Sequence, residues 1–346
     1  MKALVLVSNG KFEFRDVPVP ERPGPGWVLL RISAAGVCGS DLPRAFSGGA
    51  YHYPLIMGHE LSCVVAEDAP AAGFSEGDRV AVFPLIPCYS CGPCRTGDYA
   101  QCESYDYLGS RRDGGFAELM WAPAINLFPL PEGLNADHAA MTEPGAVALH
   151  AVKKAEPKAG ESAVVYGCGP IGNLAAQWLR LSGCDPVYTI DIDRRKLDIA
   201  REMDFEIIDA GKSDPVEQLR RIHGDRGAEI VVEAVGLPKT FLQAVKSAGR
   251  FGRVVFLGTI KGEFRIGESD FSDILRKELT IRGTWNSKIF PRGSDDWSAT
   301  LHRIGRGIDV GPLISHRVSL EKGGQTFEMM HHGHEHYNKV LLVPGG

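Results

Sequence analysis

Three side chains that can bind a divalent metal lie in one short stretch of the chain: the thiol of Cys38, the imidazole of His59 and the carboxylate of Glu60. Zinc accepts all three donor types, and a catalytic zinc site combines three protein ligands with one open coordination position. Each residue also has an ordinary explanation, because a Cys before a Gly is often a small buried residue and a single His is often a hydrogen-bonded core residue. The stretch therefore indicates a metal site without establishing it.

A second group of thiols follows in a loop rich in Gly and Pro, and its members are Cys88, Cys91, Cys94 and Cys102. Four thiolates around one zinc ion stabilise a segment that has little apolar content of its own. Free thiols or two disulfides are the alternatives, but we expect no secretion signal, and clustered cysteines then favour metal binding. We therefore expect a structural zinc in the lobe 88–102, with no catalytic role because four thiolates leave no open position.

The sequence GCGPIG opens a predicted helix directly after the apolar run SAVVYG. In a dinucleotide-binding turn, the first Gly allows the tight turn, the second lets the pyrophosphate approach, and the third lets the helix pack closely. Amides at the helix N-terminus then bind the phosphates. The motif alone is weak, but a strand before it, a helix after it and an acid about 20 residues later confirm the context. The predicted cofactor contacts are Gly167, Gly169, Pro170, Ile171, Gly172, Asp191, Arg195, Val235, Gly258 and Thr259.

The acid that selects the cofactor is Asp191, at the end of the second predicted strand of this region. A carboxylate there accepts hydrogen bonds from the ribose hydroxyls of NAD and repels the 2′-phosphate of NADP. Arg194 and Arg195 would suit NADP, but with Asp191 in place we interpret them as the start of the next helix. The prediction is NAD.

The elements that position these motifs form two domains, as a chain of 346 residues suggests. Short β-rich runs and Pro/Gly turns fill residues 1–148, and short strands return in 286–346, so we assign both segments to one domain. Strands and helices alternate through 149–285, which predicts a parallel sheet with helices on both faces. Glu143 precedes Pro144 at a predicted helix break in a small, apolar run. A buried carboxylate there needs a partner, and a metal could be that partner.

Composition excludes several classes of function. Hydrophobic residues make up 44% of the chain and charged residues 23%, which is normal for a soluble globular protein. A formal net charge of -5 argues against nucleic acid or an anionic membrane as a partner, and no apolar run approaches the roughly 20 residues of a membrane helix. The start MKALVLVSNGK is too short for a signal peptide, so we expect a cytoplasmic protein.

Together the motifs resemble the zinc-containing medium-chain dehydrogenases of the alcohol and polyol type along the whole chain. The resemblance rests on CGSD at 38–41, GHE at 58–60, the four-Cys lobe, Glu143-Pro144 and GCGPIG. CGSDLPR, GSRRDGGFAE and ILRKELTIRGTWNS are most similar to the members that oxidise galactitol 1-phosphate. The resemblance implies an α/β fold: a GroES-like, β-rich catalytic domain and a Rossmann domain with a doubly wound parallel sheet, with the active site in the cleft between them.

The resemblance also implies roles at matching positions. The catalytic zinc ligands would be Cys38, His59 and Glu143, with Glu60 as an auxiliary carboxylate, which makes two zinc ions per chain. Asp41 would orient His59, and Ser40 would hydrogen-bond the substrate hydroxyl and begin proton release. Pro43 stands where many relatives have a proton-relaying His, and Cys63 stands where Gly is common. We therefore expect the proton to leave by Glu60, water or the ribose.

The implied reaction transfers a hydride from a secondary alcohol of a sugar alcohol to NAD, while zinc lowers the pKa of the alcohol. For galactitol 1-phosphate the products would be D-tagatose 6-phosphate and NADH. Arg111 and Arg112 beside Asp113 form either a solvated turn paired with carboxylates or an anion site for the phosphate. The substrate candidates are Arg44, Arg111, Arg112, Asn286, Ser287 and Lys288.

Other functions remain open on the same scaffold. One is oxidation of an unphosphorylated polyol of the sorbitol or xylitol type, or of L-threonine. In another class, the chain would be a non-catalytic NAD-binding sensor, although a mere binder has no use for an open zinc position. The resemblance further implies a homodimer or homotetramer, in which EFRI at 263–266 forms an extra strand that pairs with its mate.

Overall fold

The computed structural model describes residues 1–345. Its strands are β1 (Lys2–Ser8), β2 (Lys11–Asp16), β3 (Trp27–Val37), β4 (Leu55–Ile56), β5 (Glu60–Val65), β6 (Arg79–Val82), β7 (Leu85–Ile86), β8 (Asp106–Tyr107), β9 (Leu119–Pro123), β10 (Leu127–Pro129), β11 (Ala163–Tyr166), β12 (Val187–Asp191), β13 (Glu206–Asp209), β14 (Ala228–Glu233), β15 (Ala248–Phe256), β16 (Thr280–Gly283), β17 (Ile314–Ser319) and β18 (Lys339–Val343). Its helices are α1 (Asp41–Phe46), α2 (Gly92–Arg95), α3 (Ala136–Ala139), α4 (Thr142–Ala155), α5 (Pro170–Leu181), α6 (Arg194–Glu202), α7 (Pro215–His223), α8 (Pro238–Ser247), α9 (Glu268–Arg276), α10 (Asp296–Arg303) and α11 (Gly323–His332).

The chain divides into two compact units. Unit 1 is Met1–Glu143 together with Lys288–Gly346, and unit 2 is Pro144–Ser287. The predicted domain limits at 148 and 286 lie a few residues from these. None of the helices within residues 1–345 combines the length and the apolar character that a membrane span requires.

Unit 1 is built around a mostly antiparallel sheet in the order β10-β6-β5-β3-β18-β17, with β9 also paired to β3. Buried and less buried residues alternate along the first part of β3, which is the period of a strand with one face in the core. A smaller sheet, β2-β1-β4, packs its apolar residues into the same core, which includes Leu4, Leu30, Leu61 and Phe116. The pairing of β3 with both β5 and β18 brings distant parts of the chain side by side.

Unit 2 has a parallel sheet in the order β13-β12-β11-β14-β15-β16. In this doubly wound order the chain starts in the middle of the sheet and reverses direction, so that ligands bind at the carboxyl ends of the central strands. All four residues of β11 are buried, as expected for a strand covered on both faces. The segment 263–266, predicted as an extra strand, has no regular secondary structure in the single chain.

Candidate metal centres and cofactor site

Strand pairing in unit 1 brings three metal-binding side chains together. Cys38 follows β3 directly and His59 precedes β5, while Gly36 of β3 lies opposite Glu60 of β5. One donor atom each of Cys38, His59 and Glu60 lies within 4.8 Å of the others. A side chain at Gly36 would collide with the Glu60 carboxylate, so the glycine makes room for it. The three residues singled out from their types thus form one group.

Glu60 has a partner that sequence reasoning missed. Lys339, the first residue of β18, donates from Nζ to both carboxylate oxygens of Glu60 at 2.7 and 2.6 Å, and to the carbonyl of Val37 at 3.1 Å. The side chains of Lys339 and Glu60 are only 5% and 1% exposed. Burial lowers the pKa of an ammonium, but Glu60, together with Cys38 and Glu143, outweighs it, so the pKa of Lys339 is raised. The one sequence signal was a Lys that opens an otherwise apolar strand.

Glu143 lies close to the same group but outside it. It is 7% exposed in the first turn of α4. The helix break predicted at Pro144 is wrong, because α4 runs through this proline, which a first turn tolerates since its N–H would be unbonded there anyway. Burial raises the pKa of Glu143 to about 8, with His59, Glu60 and Cys38 also acting on it. The assignment of Glu143 as the third zinc ligand, with Glu60 as the auxiliary carboxylate, stays a prediction.

Asp41 contacts both Cys38 and His59 of the metal group. Its carboxylate accepts from the backbone N–H of Cys38 at 3.0 Å and from Nη1 of Arg44 at 2.5 Å. His59 Nδ1 lies 3.6 Å from Asp41 Oδ1 and has no hydrogen-bond partner among the described residues. Ser40 is exposed and donates from Oγ to Cys38 Sγ at 3.3 Å. Arg44, a substrate candidate by sequence, is thus bonded to the residue predicted to orient His59.

The electrostatics of the group fit a divalent cation. Burial and, to a smaller extent, the charge of Glu60 raise the pKa of the Cys38 thiol to about 11. Burial likewise raises the pKa of Glu143 and so favours its neutral form. A bound cation stabilises the thiolate and carboxylate forms, because metal ligands bind in their deprotonated states. A thiol, an imidazole and a carboxylate are the donors that zinc prefers. These residues would therefore hold a zinc ion.

The four-Cys lobe has the geometry of a closed zinc site. The sulfurs of Cys88, Cys91, Cys94 and Cys102 all lie within 4.8 Å of one another. Two Sγ–Sγ distances, Cys88–Cys94 and Cys91–Cys102, are 3.9 Å, close to the roughly 3.8 Å edge of a tetrahedron with Zn–S bonds of about 2.3 Å. Hydrogen bonds from Ser90 and the backbone lower the pKa of Cys88 to about 5. The lobe would hold the predicted structural zinc.

The glycines of the predicted nucleotide turn occupy the expected conformations in unit 2. Gly167, directly after β11, has a φ of 97°, which favours glycine. Gly169 precedes α5, and a side-chain carbon added there would meet open space, whereas one at Gly172 would collide with the carbonyl of Gly167. The middle glycine thus leaves the end of α5 accessible to a phosphate, and the last permits close packing.

Asp191 lies at the end of β12 beside this turn. Its Oδ2 accepts from the N–H of Cys168 at 2.8 Å and its Oδ1 accepts from the N–H of Asp193 at 2.9 Å. Asp193 caps α6, and its carboxylate accepts from Nε of Arg195 at 3.3 Å. Arg195 thus pairs with the acid that caps its own helix. Arg194 and Arg195 lie at the start of this helix, as the sequence predicted. The two backbone bonds from Cys168 and Asp193 hold the Asp191 carboxylate at the end of β12, beside the turn.

A second residue that sequence reasoning missed is Glu233, at the end of β14. It is fully buried, and its Oε1 accepts from the N–H groups of Val235 and Gly236 at 3.0 and 2.8 Å and from Oγ1 of Thr240 at 2.7 Å. A side chain at Gly258 would collide with Gly236 and Glu233. Glu233 therefore fixes the loop after β14, which contains the predicted cofactor contact Val235, and Gly258, after β15, packs closely against it. Its signal was an acid between an apolar strand and a Gly.

Three of the cationic substrate candidates are already paired with carboxylates. An ion pair of this kind lowers the net charge available to a substrate anion, and a phosphate would have to compete with it. The N–O distances are 2.5 Å for Arg44–Asp41, 2.7 Å for Arg112–Asp106 and 2.5 Å for Lys288–Asp98.

The remaining substrate candidates have neutral partners. Arg111 donates to the carbonyl of Tyr105 at 3.0 Å and to the hydroxyl of Tyr51 at 3.5 Å. Asn286 accepts through Oδ1 from the backbone N–H of Ser287 at 2.8 Å. Ser287 is buried, with 1% exposure, whereas Arg111 is exposed. Arg111 is thus the candidate whose charge is best placed to meet a ligand.

Comparison with known proteins covers both units. A family described as "Alcohol dehydrogenase GroES-like domain" matches residues 24–132, and one described as "Zinc-binding dehydrogenase" matches residues 170–306. The chain is 34% identical to galactitol 1-phosphate 5-dehydrogenase of Escherichia coli strain K12, over 99% of this chain and 100% of that protein. It is 30% identical to L-threonine 3-dehydrogenase of Bacillus velezensis, over 99% of each.

Solved structures agree with the sequence comparisons. The crystal structure of galactitol-1-phosphate dehydrogenase from Escherichia coli matches with a TM-score of 0.93 and 34% identity, over 99% of this chain and 100% of that one. The predicted fold class, a GroES-like domain with a Rossmann domain, is confirmed. The predicted resemblance is confirmed as well.

Proposed function

Because this chain belongs to the zinc-binding alcohol dehydrogenase family, we propose that it oxidises a secondary alcohol of a sugar alcohol phosphate with NAD as hydride acceptor. The observation that carries the proposal is the convergence of Cys38, His59 and Glu60 donors within 4.8 Å of one another in unit 1, with the buried carboxyl of Glu143 near enough to interact with all three. A zinc ion held there would lower the pKa of the substrate hydroxyl, so that it ionises near neutral pH.

We assign the catalytic metal to Cys38, His59 and Glu143. The support is electrostatic: the ammonium of Lys339 already neutralises Glu60, through bonds to both of its oxygens. Burial raises the pKa of Glu143 to about 8, and a bound divalent cation would stabilise its deprotonated form. Glu60 then acts as the auxiliary carboxylate, restrained by its ion pair.

The chain's own residues would bind the substrate and move its proton. The hydroxyl proton passes first to Oγ of Ser40, which lies 3.3 Å from Cys38 Sγ. Since Ser40 is exposed and Glu60 is 1% exposed in an ion pair, water is the favoured acceptor of the proton from Ser40. Pro43, in the position of a relay His, cannot take this role because its side chain carries no titratable group.

Unit 2 would hold NAD through the turn 167–172 and Asp191. The support is the position of the Asp191 carboxylate at the end of β12, where it would accept from ribose hydroxyls and repel a 2′-phosphate. Glu233, by fixing the loop after β14, keeps Val235 in place for the cofactor.

We propose galactitol 1-phosphate as substrate, with D-tagatose 6-phosphate as product, on the strength of the full-length similarity to galactitol 1-phosphate 5-dehydrogenase. The second candidate is an unphosphorylated polyol or L-threonine, which is favoured by the carboxylate pairing of Arg44, Arg112 and Lys288. NADH formation should be measured with galactitol 1-phosphate, galactitol, sorbitol and L-threonine. Equal activity on galactitol and its phosphate would refute the phosphate requirement.

A homo-oligomer is part of the proposal. Helix α9 presents Phe271 and Leu275 with 53% and 62% exposure, and β16 lies at the edge of its sheet. Exposed apolar side chains beside an open strand edge are suited to pairing with a second copy. Light scattering would distinguish dimer, tetramer and monomer.

We also propose a reducing, cytoplasmic compartment, since the lobe thiols must stay reduced to bind zinc.

A further inference from the structure

Arg111 carries a positive charge that its neighbours do not neutralise directly. Its guanidinium donates to two neutral acceptors, the Tyr105 carbonyl and the Tyr51 hydroxyl. The nearby carboxylate of Asp106 is bonded instead to Arg112 at 2.7 Å. A guanidinium has five N–H donors, so donors remain for an anion. An anion that reaches Arg111 does not have to displace a carboxylate.

The same guanidinium is held in a fixed orientation. Its Cζ lies 4.2 Å from the ring centroid of Tyr105 and 4.8 Å from that of Tyr51, so that the cation contacts two aromatic rings. His52 Nε2 lies 3.2 Å from the Arg111 carbonyl, which anchors the backbone as well. Stacking on rings leaves the planar edge of the fork for bidentate contact with an oxyanion. Less side-chain entropy is then lost on binding.

Arg111 is connected to the metal group by a row of aromatic rings within unit 1. The His59 ring meets Tyr107 edge-on, with centroids 5.7 Å apart, and Tyr107 meets Tyr105 at 6.3 Å. Tyr105 is the ring on which Arg111 stacks. The arginine thus lies three contacts away from a proposed zinc ligand.

We propose that Arg111 binds the phosphate of the substrate and decides between phosphorylated and unphosphorylated polyols. The inference rests on the proposed function and deepens it. The guanidinium would donate to two phosphate oxygens while Tyr51 and Tyr105 keep it in place. Tyr105 is then a positioning residue, because it acts through Arg111.

The test compares Arg111→Gln and Arg111→Lys with the wild-type enzyme, all zinc-loaded. Arg22→Gln is the matched control, since Arg22 also stacks on an aromatic ring, at 5.7 Å from Trp121, and donates to a carbonyl. The readouts are kcat and KM for galactitol 1-phosphate and galactitol, and inhibition by inorganic phosphate. We expect Arg111→Gln to reduce the preference for the phosphorylated substrate at least about 10-fold, mainly through KM, as for loss of a charge-assisted hydrogen bond. Arg111→Lys should restore part of it, and inhibition by phosphate should weaken in Arg111→Gln alone.

Each other outcome is decisive. If Arg111→Gln lowers activity equally on both substrates, or if Arg22→Gln matches it, the inference fails while the proposed function stands. If the wild-type enzyme shows no preference for the phosphorylated polyol, the phosphate part of the proposed function fails, and the inference fails with it. Thermal melts of the variants distinguish loss of binding from loss of folding.

Discussion

Removing the ammonium of Lys339 should destabilise unit 1 strongly. In Lys339→Met, the carboxylate of Glu60, 1% exposed, loses the Nζ that donates to both of its oxygens. Loss of one partner of a buried ion pair costs about 3–5 kcal/mol, because the remaining charge stays buried and unpaired. For a domain of about 200 residues this corresponds to a fall in Tm of roughly 6–20 °C.

The assay is urea and thermal unfolding at neutral pH, followed by circular dichroism, with the zinc content of every sample measured. Glu60→Gln combined with Lys339→Met removes both charges and should recover most of the loss. Lys288→Met is the matched control, since its ion pair with Asp98 is also short, 2.5 Å, but 45% and 40% exposed, and an exposed pair contributes under about 1 kcal/mol. The reasoning is refuted if Lys339→Met costs no more than Lys288→Met, or if the double variant is as unstable as Lys339→Met.

Three further outcomes follow from the site. Asp191→Ala should lower the preference for NAD over NADP at least about 10-fold in kcat/KM, because the repulsion of a 2′-phosphate is lost; an unchanged ratio would contradict the assigned role. In metal-stripped protein, burial raises the pKa of Glu143 from 4.5 to about 8, so the folded state keeps a proton that the unfolded chain releases. Stability should therefore fall as pH rises from about 4.5 to about 8, and Glu143→Gln should flatten this slope in urea melts. Cys94→Ser should remove one zinc per chain by elemental analysis, whereas Cys184→Ser, a buried thiol outside the lobe, should not.

The predictions of the nucleotide turn and of the four-Cys lobe rest on residues that are neighbours along the chain. The turn 167–172 needs a strand, three glycines and a helix in immediate succession, and the lobe 88–102 needs four thiols in one loop. Both can be recognised from spacing alone, because the groups that act together are only a few residues apart. The prediction of a helix break at Pro144 is wrong because the break lies earlier, just before Thr142. The proline therefore falls in the first turn of α4, where it is tolerated.

The sequence by itself determined the donor types, the nucleotide turn and the alternation that makes unit 2 a parallel sheet. Only the tertiary structure decided how charges are paired. Lys339 is 279 residues from Glu60 along the chain, and the two meet because β3 pairs with both β5 and β18. The tertiary structure also decided how two neighbouring arginines are paired. Arg111 lies between two tyrosine rings, whereas Arg112 is bonded to Asp106. Adjacent residues with identical chemistry acquire different roles because an ion pair depends on distance in space, which the order of residues does not specify.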